Sequence, residues 1–191
     1  GLCWVIKVLT TGMGEAASDA LAKVNLFAAG LLDLLGFYFG LRWQLRSRGY
    51  HAVTYWFAVA MVAVFGTMCA DGIHIVFRLP YVATTILWSV VLYVVFRRWY
   101  RSEGTLSIHS ITTRRRELFY WATEIATFAL GTATGDLTAT SLHRGYLGAG
   151  ILFAVAIAVL WGVDVGSRRG AVLFFWIAYV LTRPLGASFA D

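Results

Sequence analysis

The sequence predicts an all-α fold: a polytopic membrane helix bundle built from tandem two-helix repeats in parallel orientation. Two observations predict it. Hydrophobic residues make up 59% of the chain and charged residues only 14%, with a mean hydropathy of +0.70, too apolar for an ordinary soluble domain. Four times, moreover, a tryptophan is followed after fifteen residues by an aspartate, with a glycine five residues before the aspartate. The copies are Trp4–Gly14–Asp19, Trp56–Gly66–Asp71, Trp121–Gly131–Asp136 and Trp176–Gly186–Asp191.

Such a register marks an internal tandem repeat, which decides the architecture before any single residue does. The aspartates stand 52, 65 and 55 residues apart, room for two crossings and a loop in each repeat. One transmembrane domain is expected over 1–191, with repeats at about 1–50, 51–115, 116–170 and 171–191, the last one truncated.

The spans follow in order. Segment 1–18 contains both Lys7 and Glu15 and fails a hydropathy test alone, but its register aligns it with clearer spans. Segment 24–41 carries Asp33. Segments 52–70, 79–96 and 145–163 are uncharged and of spanning length. Segment 118–135 holds Glu124, and 171–190 holds Arg183 and Pro184. That makes seven helices, and the repeat pattern leads us to expect an eighth in the full protein. No cleavable signal peptide is evident. Cys3 and Cys69 are widely spaced and read as small apolar helix residues, not as a disulfide or metal site.

Basic residues set the expected orientation. Arg42, Arg46, Arg48, Arg97, Arg98, Arg101, Arg114, Arg115, Arg116, Arg168 and Arg169 fall on one side, against Lys23, Arg78 and Arg144 on the other. The positive-inside rule puts the larger set, and the N-terminus, in the cytoplasm. The net charge of +6 is then a matter of topology and lipid headgroups, with no nucleic acid partner implied. Every odd helix runs outward, so the pseudo-symmetry axis lies along the membrane normal, unlike the inverted repeats of many transporters. Fifteen helical residues separate each tryptophan from its aspartate by about 22 Å, an inner anchor from an outer carboxylate.

Two readings of the aspartates stand side by side. Asp19, Asp71, Asp136 and Asp191 cap the helices that follow them, or they form an acidic outer vestibule that concentrates cations. Charges that break the register point more directly to chemistry. Lys7 and Glu124 occupy one slot, three residues after the tryptophan, where repeats 2 and 4 have Val59 and Tyr179, and the two could pair across the bundle. Glu15 takes a slot filled elsewhere by Thr67, Thr132 and Ala187. Arg183 stands within helix 7 as a counter-ion for Asp33 or Glu15, beside Pro184, which is expected to kink that helix. Intramembrane ionisable groups are functional candidates because burying them unpaired is costly. Glu15, Asp33, Glu124, Lys7 and Arg183 are therefore the candidate substrate and proton site. The competing reading is a structural ion-pair network. His74 and His143 are placed in outer hairpins.

The phrases TTGMGEAASD (10–19), LSIHSITTRRRELFYW (106–121), TFALGTATGDLTA (127–139) and FWIAYVLTRPLGASFAD (175–191) resemble a bacterial family of uncharacterised membrane-anchored proteins built from four copies of a repeat of unknown function. Repeat 2, VAVFGTMCAD (62–71), is the most diverged. The resemblance implies a multi-pass protein of the bacterial inner membrane and supplies no substrate.

The expected function is transport of a small solute, a cation exchanged for protons; the alternative is a non-transporting scaffold or sensor whose buried charges are structural. The chain contains no HExxH, no GxGD-like dyad and no Ser/Lys pair with hydrolase spacing, so no enzyme and no catalytic residue are expected. A retinal-type protein is excluded because helix 7 offers Arg183 where a Schiff-base lysine would stand. No cofactor is expected, and the sequence names no metal. The expected partners are the lipid bilayer and the small cation or other solute, with homo-oligomerisation left open.

Overall fold

The computed structural model describes residues 2–47, 51–141, 145–167 and 171–188. Seven α-helices run through them: α1 Leu2–Val24, α2 Leu26–Arg46, α3 Ala52–Phe77, α4 Tyr81–Glu103, α5 Arg114–Asp136, α6 Gly145–Ser167 and α7 Ala171–Ala187. A 3-10 turn at Ile108–Ser110 interrupts the α4–α5 connection, and a π-helical turn at Leu137–Ser141 follows α5. There is no strand among the described residues. The fold is an all-α bundle of membrane type.

Local signals set the helix ends. The Asn25 side chain accepts from the backbone N–H groups of Phe27 and Ala28 to start α2, and the Thr113 hydroxyl accepts from Arg116 N–H to start α5. These are the donors a helix start leaves without intrahelical partners. Gly104 ends α4 at φ 69°, a left-handed conformation that glycine adopts without a Cβ clash.

The odd helices form a closed ring, with α1 on α3, α3 on α5, α5 on α7 and α7 on α1. The repeated glycine makes each joint. A Cβ on Gly14 would lie 2.6 Å from Cβ of Ala63, one on Gly66 2.5 Å from Cβ of Phe128, and one on Gly186 2.6 Å from Cβ of Thr11; one on Gly131 would overlap Cβ of Arg183. Each glycine thus meets the residue three places before the glycine of the next helix. The absence of a side chain lets the backbones approach, as small residues do in membrane packing.

The even helices lie outside the ring and lean mainly on the odd helix that follows them: α2 on α3, α4 on α5 and α6 on α7. Their outer faces expose apolar stripes at helical spacing, such as Leu31, Leu35 and Phe39 on α2, Val82, Ile86 and Val90 on α4, and Ile151, Val155 and Val159 on α6. Helices at Ala52–Phe77, Tyr81–Glu103 and Gly145–Gly162 are long and apolar enough to cross a membrane. α1 and α5 fall short of that hydropathy because they carry buried polar residues, Lys7, Thr11 and Glu15 on α1 and Thr123, Glu124, Thr127 and Thr132 on α5. Protein, not lipid, covers that polar face.

Two expectations are corrected here. Trp121 and Trp176 are not interfacial anchors. Both are buried in a core with Trp99, Tyr120 and Tyr179, because the α4–α5 connection folds beneath the ring. Leu106, Ile108 and Ile111 of that connection pack on this core, and Trp176 Nε1 donates to Leu106 O at 2.9 Å. Asp19 and Asp71, secondly, do not cap α2 and α4. Asp19 and Asp71 lie more than a turn inside α1 and α3, the N-caps of α2 and α4 are Asn25 and Pro80, and Asp136 passes into the π-helical turn. Continued helix at the aspartate leaves no free N–H groups there for it to cap. Asp191 and His143 lie outside the described residues. His74 belongs to α3, not a loop, and its Nδ1 lies 2.6 Å from Leu79 O.

Candidate functional site

Every fourth residue of an odd helix returns to nearly the same face, about 6 Å further along. Counting from each tryptophan, positions three, seven and eleven therefore stack as layers inside the ring. The first layer is Lys7, Val59, Glu124 and Tyr179, the second Thr11, Ala63, Phe128 and Arg183, the third Glu15, Thr67, Thr132 and Ala187. All twelve are buried. The register thus brings the repeat-breaking residues together.

Glu124 is the hub of the lower two layers. One carboxylate oxygen lies 2.6 Å from an Arg183 terminal nitrogen; the other lies 3.6 Å from Lys7 Nζ and accepts from the Tyr179 hydroxyl. Lys7 also donates to the Tyr179 oxygen, and its ammonium sits 3.9 Å from that ring's centroid. Arg183 is fully buried. It donates to Thr11 Oγ1 at 3.1 Å and to the Tyr179 oxygen at 3.0 Å, and its guanidinium stacks 3.7 Å over the Phe128 ring centroid. Its Nε finds no acceptor among the described residues. Charge-assisted bonds on this scale are what make a buried charge tolerable.

Glu15 forms the upper layer with hydroxyls from two other helices. Thr132 Oγ1 donates to it at 2.9 Å and Thr67 Oγ1 at 3.2 Å, and the two threonine oxygens lie 3.2 Å apart. Above it opens a cavity of about 730 Å³, lined among others by Glu15, Ser18, Asp19, Asp71, Asp136 and Tyr146. A cavity this size matches small-molecule sites. Asp19, Asp71 and Asp136 all line this one cavity. At the opposite end of the ring the tryptophan core packs against the α4–α5 connection. That connection is tied down by Arg116, which reaches Glu103 Oε2 at 2.7 Å and Ser110 O at 2.7 Å.

The expected Lys7–Glu124 pair is therefore present. Arg183, expected opposite Asp33 or Glu15, pairs with Glu124 instead, because a residue at position seven stands between the layers of Glu124 and Glu15. Asp33 is not in the cluster at all. It sits on α2, outside the ring, buried against α3. α7 continues through Pro184 to Ala187. Proline still removes one N–H, so the carbonyl of Val180 has no helical donor there.

Tyr179, which bonds three charged partners, is the residue sequence reasoning missed. Its signal was its place in the slot shared with Lys7 and Glu124. Thr67 became significant only through the closed ring, where it joins Thr132 at Glu15.

The family model described as "Repeat of Unknown Function (DUF347)" matches residues 54–105 and 119–169, the stretches that hold α3 with α4 and α5 with α6. Together the two copies span more than half of the chain. No curated protein and no solved structure matches it.

Proposed function

This chain belongs to that repeat family, and we propose that it is an integral membrane transporter of a small solute, a cation coupled to protons. One observation carries the reading: a cavity at one end of the ring is lined by Glu15 together with Asp19, Asp71 and Asp136, next to buried charges that balance only while Glu15 is ionised. Lys7 and Arg183 supply two positive charges against Glu124 and Glu15. A cation or proton on Glu15 upsets that balance, so loading the site and rearranging the charges beneath it are one event.

Asp19, Asp71 and Asp136 attract the cation into the cavity, and Glu15 meets it at the floor. Among the described residues no group of three or more His, Cys, Asp and Glu could hold a metal ion, so the spread of carboxylates favours a hydrated or organic cation over a dehydrated metal. Glu124 acts as the fixed counter-ion of Lys7 and Arg183. The closed tryptophan core is the opposite gate. We place the chain in the bacterial inner membrane, with four copies of the repeat, the N-terminus in the cytoplasm and the cavity outside, following the arginine asymmetry.

The scaffold or sensor reading is favoured by a different observation. Both Glu124 oxygens are engaged, as in a network that only specifies helix packing. A thermal-shift screen of the purified protein separates the two, using alkali cations, magnesium and tetraalkylammonium ions across pH. Transport predicts at least one cation that raises the melting temperature of wild type and not of Glu15→Gln. A scaffold predicts no shift with any of them.

A further inference from the structure

Asp33 is the one candidate carboxylate that the axial network leaves aside. It lies on the buried stripe of α2, with Ala29 one turn before it and Gly40 and Gln44 beyond. The same stripe faces α3: a Cβ on Gly36 would lie 2.8 Å from Met61 Sδ, and the Phe37 ring stacks on Phe65 at 4.2 Å between centroids. Asp33 is only 5% exposed, and neither carboxylate oxygen has a hydrogen-bond partner among the described residues. On α3, Cys69 stands within electrostatic reach. On α1, Glu15 and Asp19 face the neighbouring cavity, as Asp71 of α3 does. No cation pairs with Asp33 among the described residues.

An ionised carboxylate with no donor and no counter-ion is not a stable occupant of a helix seam in lipid. Translocon scales put Asp at about 2.5–3.5 kcal/mol at a helix centre, and such groups neutralise rather than remain charged. Water is close by. The large cavity is lined by Gly30, one turn before Asp33, and by Met68, the neighbour of Cys69. A Cβ added to Gly30 would meet nothing within 4 Å, so open space lies one turn from the carboxyl.

We propose that Asp33 is a proton-binding site, separate from the axial charge network, that holds its proton while α2 is seated on α3 and exchanges it with the cavity past Gly30. The chemistry is a single equilibrium: the neutral acid gives a proton to cavity water and becomes a carboxylate, which destabilises the α2–α3 seam. The site stands whether or not the protein moves a solute. If it does, Asp33 is a second protonation site beside Glu15, a step that rests on the transport reading.

The test is pH-difference infrared spectroscopy of the protein in nanodiscs, combined with mapping of adducts formed by dicyclohexylcarbodiimide, which attacks protonated carboxyls in apolar surroundings. Wild type is expected to show a protonated-carboxyl band that Asp33→Asn lacks, and an adduct on Asp33 whose yield falls at least tenfold from mildly acidic to mildly alkaline pH. Gly30→Leu is expected to keep the band but slow its deuterium exchange at least tenfold. The proposal is overturned if Asp33→Asn retains the whole band, or if wild-type Asp33 takes no adduct at any pH. Adduct mapping uses wild type, so it decides the matter even if Asp33→Asn does not fold. A positive band with no cation flux would sink the transport reading and leave this site standing; flux with no band would do the reverse.

Discussion

Replacing Glu124 with glutamine tests the buried network at its hub. The substitution keeps the shape but removes the charge that Arg183 meets at 2.6 Å and Lys7 at 3.6 Å. Both cations stay buried, with Glu15 of the upper layer as their only carboxylate in the three layers. Breaking a buried pair from one side costs roughly 3–5 kcal/mol, chiefly because the partner is stranded. For a chain of this length that is a fall of roughly 6–20 °C in melting temperature. Adding Lys7→Met removes one stranded cation, so the double variant should recover about 0.5–3 kcal/mol relative to additivity. The assay is thermal unfolding of the four proteins (wild type, two singles, double) in one detergent. A Glu124→Gln melt within about 2 °C of wild type, or strictly additive effects in the double, would refute the hub reasoning.

Gly131→Leu should destabilise by at least about 1–3 kcal/mol through overpacking against Arg183, whereas Gly162→Ala, where a Cβ meets nothing within 4 Å, should be neutral or stabilising by up to about 1 kcal/mol; parallel melting curves check both. Trp176→Phe keeps the packing but loses the bond to Leu106 O, worth about 1 kcal/mol. It should speed limited proteolysis within the 104–113 connection, and an unchanged cleavage rate would mean that this bond does not hold the closed end.

The seven described helices were legible because each pairs an apolar stretch with either its own hydropathy or the repeat register; α1 is found only by the register. Lys7 and Glu124 could be paired from the sequence because equal position on parallel helices implies equal height in the ring. Tyr179 could not be singled out, since a tyrosine in a membrane helix is chemically silent until charged partners surround it. The buried tryptophans were misread because a ten-residue connection without periodicity turned out to fold back beneath them. The capping alternative fails at Asp19 and Asp71 because α1 and α3 run on past them, a feature no residue pattern announced. Asp33 was grouped with the axial charges because nothing in one sequence says that an even helix leans on the next repeat and faces its proton site away from the axis.

Cation uptake into proteoliposomes under an imposed pH gradient, compared between wild type and Glu15→Gln, tests the transport proposal most directly. Wild type should accumulate at least one of the alkali or tetraalkylammonium cations above the level of empty vesicles, and Glu15→Gln, folded by its melting curve, should fall to that background. Uptake at the wild-type rate by Glu15→Gln would contradict the assignment of the site, and background uptake by wild type for every cation would contradict transport itself.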